Sequence, residues 1–82
     1  PSLEVVFFSL NPKSWSREDY SAHAAEECII VLSGEITIDC VDETFALHAG
    51  DSIYIKNNIP HKAFNPGETV ATAIMCLTPP VY

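Results

Sequence analysis

Three residues of this 82-residue chain combine types and spacing that can grip a cation. His23 and Glu27 stand four apart at the entrance to an apolar run, and an even separation in an extended segment sends both side chains to one face. Glu26 then points the other way. A one-residue slip would exchange Glu26 for Glu27, but it would also move Cys28 and Val31 to new faces. His61 directly follows Pro60, where a loop passing into a strand can aim an imidazole across a barrel. Two imidazoles and one carboxylate make a facial ligand set that leaves coordination positions open to water, substrate or dioxygen. Fe, Mn, Ni and Zn all suit such nitrogen and oxygen donors.

The elements that must position these side chains read as strands. Leu3 to Leu10 is apolar, β-branched and aromatic, the pattern of a strand buried on both faces. Lys13 to Ala25 is a polar connection around Trp15, with at most a short strand. Cys28 to Leu32 and the alternating Glu35 to Val41 flank Ser33-Gly34, which reads as a β-hairpin. Shorter strands follow at Thr44 to Leu47, Ser52 to Ile55 and His61 to Asn65, and Thr69 to Leu77 is the last. Gly, Pro or Asn separates the runs every eight to twelve residues, and no apolar stripe repeats at helical spacing. The expectation is one all-β domain over residues 1–82, a small antiparallel barrel.

Composition narrows the function classes. Eleven acidic against four basic residues give a formal net charge of −7, leaving no basic face for phosphates and none for an anionic membrane. No apolar run approaches the ~20 residues needed to span a bilayer, and the start carries no secretion signal. Cys28, Cys40 and Cys76 lie inside apolar stretches without a CxxC spacing, which reads as buried free thiols in the cytoplasm. A domain this short buries only about 60 to 65% of its unfolded surface, so a metal or a second subunit would add needed stability. Leu3 to Leu10 is too apolar for a lone edge, and a homodimer exchanging or pairing N-terminal strands is expected.

At this point the motifs resemble a known family. His23-Ala24-Ala25-Glu26-Glu27-Cys28-Ile29-Ile30-Val31-Leu32-Ser33-Gly34 resembles the first cupin motif, a histidine, a glutamate four residues on and a glycine after several more. Gly50-Asp51 with Pro60-His61-Lys62-Ala63-Phe64-Asn65 resembles the second. The resemblance spans Leu3 to Pro80 and implies the cupin barrel, a double-stranded β-helix of jelly-roll type. Ser21 stands where the family commonly has a leading histidine, so three protein ligands remain, His23, Glu27 and His61. That set is similar to the one in hydroxypropylphosphonate epoxidase, whose cupin follows a helix-turn-helix domain. Lys56 and Asn58 replace the second motif's usual proline and glycine without touching a ligand.

Two functions follow from the resemblance. Cupins fused behind helix-turn-helix domains in bacterial transcriptional regulators share the His-x-x-Glu-Glu stretch and the Pro79-Pro80 ending, which implies a small-molecule-sensing, metal-binding domain. The alternative is a mononuclear non-haem iron oxygenase, epoxidase or isomerase, with Tyr20 or Tyr54 as proton donor. Ser21 is a candidate to orient a metal-bound water, and Tyr54 and Phe64 are candidates to line the ligand site. His48, beside a turn, reads as a solvated loop residue; Asn65 reads as a cap on the Pro66-Gly67 turn or a support for the site.

Overall fold

A computed structural model describes residues 3–20 and 25–78, all strands, turns and loops, with no helix among them. Seven strands run in chain order: β1 (Glu4–Leu10), β2 (Glu26–Ser33), β3 (Glu35–Asp39), β4 (Thr44–His48), β5 (Ser52–Ile55), β6 (Lys62–Phe64) and β7 (Ala71–Thr78). They form two antiparallel sheets, one ordered β1-β7-β2-β5 and the other β4-β3-β6. Among the described residues no strand pair joins the sheets, so the expected barrel is realised as a jelly-roll sandwich.

Alternation along each strand decides what lies between the sheets. Glu27, Ile29 and Val31 of β2 point inward, and their register partners Leu77, Met75 and Ala73 on β7 do the same. Leu10, Ala71 and Ala73 complete this side, facing Ile36, Ile38, Leu47 and Ala63 of the smaller sheet. Ile36 and Ile38 are fully buried, which ties β3 to the core at both of its inward positions.

Three expectations are corrected by this topology. β1 is not buried on both faces: among the described residues it is an edge strand paired only with β7, and Val5 and Phe7 stay 60% and 64% exposed. β2 and β3 are not a hairpin, because β2 pairs with β5 and β7 while β3 pairs with β4 and β6. Between them the chain changes sheets at Gly34, whose φ of +78° brings it against β7, where an added Cβ would sit 2.9 Å from Ala71 Cα. β3 also ends early, at Asp39 rather than Val41, since Asp39 Oδ1 accepts the Val41 amide at 3.0 Å and Val41 turns to a φ of +70°.

The connection after β1 is more ordered than its composition suggests. Trp15 bridges to Phe64, the Ser16 amide donates to the Ala63 carbonyl at 2.7 Å, and the Asn65 amide donates to the Ser14 carbonyl at 2.9 Å. A short strip of this connection thus lies along β6. Asn65, fully buried, fixes its neighbours: its Nδ2 donates to the Leu10 and Thr69 carbonyls at 3.0 and 2.8 Å, and its Oδ1 accepts the Gly67 amide at 2.9 Å. The capping role expected for Asn65 is therefore present, with the end of β1 added to it.

Candidate metal and ligand site

Glu27 lies on β2 and His61 immediately precedes β6 of the other sheet, and the two meet inside the sandwich. Glu27 takes its inward place from the alternation with Ile29 and Val31, while Glu26 is exposed, so the strand does not slip by one residue. A carboxylate only 2% exposed would be costly without compensation. His61 Nε2 lies 2.9 Å from its Oε1.

The His61 ring is oriented from behind. Its Nδ1 sits 2.8 Å from the Ile59 carbonyl, which can only accept, so Nδ1 carries a proton and Nε2 faces Glu27. The hydrogen bond to Glu27 raises the imidazole above its ordinary pKa; burial opposes this, the Ile59 carbonyl and the Glu27 charge add to it, and the Arg17 charge lowers it. A backbone carbonyl on one ring nitrogen is the usual support of a metal-ligating histidine. Neighbouring ligands of an octahedral ion with bonds of about 2.1 Å lie roughly 3 Å apart, a separation that the Glu27–His61 contact already has. Glu27 and His61 thus fit as two neighbouring donors to a divalent ion.

Both residues line a cavity of about 290 Å³, walled on its apolar side by Phe8, Leu10, Ile29, Ile38 and Met75. Its size is at the low end for small-molecule sites. Ser16 and Arg17 also line it, delivered by the strip beside β6. Neither was singled out in the sequence, because a Ser-Arg pair in a polar connection carries no signal until β6 shows where the connection docks.

Of the remaining candidates, those among the described residues fall elsewhere. His23 and Ser21 lie outside the described residues, and among those described no three His, Cys, Asp or Glu side chains gather as a metal site. Tyr54 and Phe64 do not line the cavity. Tyr54 is 56% exposed on β5 and bonds Glu26, which raises its pKa; Phe64 packs on Trp15 with ring centroids 4.7 Å apart. Tyr20 donates to Asp39 at 2.8 Å, away from the cavity. His48 is solvated as expected but is not a loop residue: it ends β4, paired with Glu35 of β3, whose Oε2 lies 3.2 Å from its Nε2.

Comparison with known proteins agrees with this architecture. The curated proteins include no match. Among solved structures, the cupin domain of an XRE-family transcriptional regulator from Enterobacter cloacae aligns with a TM-score of 0.84 at 18% identity, over 98% of this chain and 84% of that one. A cupin-superfamily sugar phosphate isomerase from Silicibacter pomeroyi gives 0.83 at 18%, over 95% of this chain and 51% of that one. An RmlC-like cupin from Shewanella frigidimarina gives 0.85 at 23%, over 96% and 68%. Identities this low establish the fold alone. The cupin-domain family model, however, matches residues 6–77, from β1 to the end of β7, and a match over nearly the whole sandwich means that this chain belongs to the cupin family.

Proposed function

We propose that this chain is a cytoplasmic metal-binding, small-molecule-sensing cupin domain of a bacterial transcriptional regulator, with His23, Glu27 and His61 as the ligands of one divalent ion. The observation that carries the reading is the buried contact between Glu27 and His61 in a small, largely apolar cavity. When bound, such an ion supplies Lewis-acid positions to a chelating ligand. Glu27 supplies the negative charge that offsets the cation, and the Ile59 carbonyl keeps the His61 ring turned toward it. Arg17 at the same cavity favours a ligand that carries an anionic group, and the apolar wall favours a compact carbon skeleton.

A sensing role is preferred over the iron-enzyme reading on one ground. Proton transfer needs a group at the reacting atoms, and both tyrosines considered for it are engaged outside the cavity, Tyr20 with Asp39 and Tyr54 with Glu26. The regulator's DNA-binding part would be a separate domain, since this segment's net charge is −7.

Metal analysis of protein purified without chelator tests the reading. Stoichiometric Fe, Mn, Ni or Zn is expected, together with a thermal midpoint that rises when the ion is added back to chelator-treated protein. His61→Ala should lose both the metal and the rise. It should also lower the metal-free midpoint modestly, because Glu27 loses a buried partner. Metal-free protein whose melting ignores millimolar concentrations of all four ions would overturn the assignment.

A further inference from the structure

We propose that a second cavity, between the turn joining β3 to β4 and strand β5, binds a small organic cation: an ammonium carried on a compact apolar body. The cavity measures about 390 Å³, within the range of small-molecule sites. One side of it is aliphatic. Ile53, Ile55 and Ile59 line that side; Ile55 belongs to the buried core, and Ile53 and Ile59 pack against it. Phe45 and Tyr54 add aromatic rings, and Asp42 and Glu43, both exposed, bring two carboxylates. The cavity shares no lining residue with the one at Glu27 and His61, and none of its residues serves the metal reading.

Charge selects the occupant. Among the described residues that line this cavity there is no Lys, Arg or His, whereas Arg17 and Lys62 line the other one. The chain's net charge of −7 adds to the pull on a cation. Aromatic walls favour the same sign, because an ammonium over a ring face is drawn to the ring quadrupole. The two carboxylates also stand on a turn with little freedom. The Cys40 amide donates to the Glu43 carbonyl and the Asp42 amide to the Cys40 carbonyl, both at 2.8 Å, and Val41 holds a φ of +70°. A rim fixed in advance leaves less ordering for a ligand to offset. A bare metal ion does not suit the cavity: among the described residues no three His, Cys, Asp or Glu side chains gather, and isoleucine walls offer it no donors. An anion would meet two like charges, and a neutral apolar molecule would leave both carboxylates unused. An ammonium on a compact hydrocarbon answers both halves of the wall.

Amide NMR of the whole chain in chelator, titrated with benzylammonium at constant pH and low salt, tests this. Saturable shifts are expected at Cys40, Phe45 and Ile53, with a dissociation constant on the order of 1 mM, and little change at Phe8, Arg17 and Met75 of the other cavity. Benzyl alcohol, of the same shape without the charge, should bind at least about fivefold more weakly, and benzoate should leave these residues unshifted. Sodium chloride at about 1 M should weaken benzylammonium at least about threefold, because the carboxylates are exposed and screened. The double variant Asp42→Asn with Glu43→Gln should lose at least about fivefold in affinity. It is expected to fold, since the bonds that close the turn are made by backbone groups; the comparison with benzyl alcohol and the salt titration need no variant. Benzyl alcohol binding as tightly as benzylammonium would overturn the proposal, as would unchanged affinity in the folded double variant or a titration that shifts none of this wall. Shifts of the wall that follow protein concentration instead of the probe would assign the cavity to a second copy of the chain and overturn it equally.

Discussion

A proton holds Glu27 and His61 together in the metal-free protein. The Ile59 carbonyl requires one proton on Nδ1, and the 2.9 Å contact of Nε2 with Oε1 is bridged by a second, an arrangement that favours the imidazolium. Its folded pKa therefore lies above the ordinary value near 6.5, despite burial and the Arg17 charge. A raised pKa contributes stability that is complete below the unfolded value and is lost as pH climbs through the folded one. In chelator, unfolding free energy should fall as pH rises from about 6 through the His61 titration, and His61→Gln should flatten that part of the curve. Urea titrations across this range check it; a stability that climbs over the same interval would contradict the paired geometry. A divalent ion displaces that second proton, so its uptake should release protons and tighten with pH.

The elements that carry these residues are held by two short connections. Gly34 passes the chain from one sheet to the other with a left-handed backbone and no room beside Ala71. Gly34→Ala combines the left-handed penalty of an L-residue with a backbone overlap, and should cost at least about 2 kcal/mol, on the order of 10 °C in midpoint. Gly50 has a similar φ of +92° but open space around its missing Cβ, so Gly50→Ala should cost less, roughly 1 kcal/mol. Comparing the two separates backbone strain from the sheet-to-sheet contact, and equal losses would mean that the Ala71 contact is relieved at little cost. The strip at Ser14 to Ser16 holds β6 from its other side and is itself pinned by Trp15 on Phe64, with the Lys62 ammonium 4.2 Å from the Trp15 ring centre. These contacts explain why Phe64 is drawn away from the cavity.

For the whole molecule, a small core makes stability depend on what binds it. The homodimer expected for so short a domain should make the thermal midpoint rise with protein concentration, and melting curves at several concentrations check it. Much of the architecture was legible beforehand because side-chain period and turn residues are local properties. The all-β class, the separation of runs by Gly, Pro and Asn, the inward place of Glu27 and the two-motif resemblance all follow from neighbours a few residues apart. Pairing partners are not local. Whether Ser33-Gly34 closes a hairpin or crosses between sheets depends on β7 competing for β2, and the free energy of that competition resides in Ile29, Val31, Ala73 and Met75 packed together. In the same way the apolar β1 sequence promised burial, but only the strand order put it at an edge with Val5 and Phe7 facing out. Residue types thus determined the secondary structure and the chemistry available, whereas the meeting of Glu27 with His61, 34 positions apart, and the delivery of Arg17 to their cavity needed the tertiary fold, because both are set by which surfaces pack and not by which residues are adjacent.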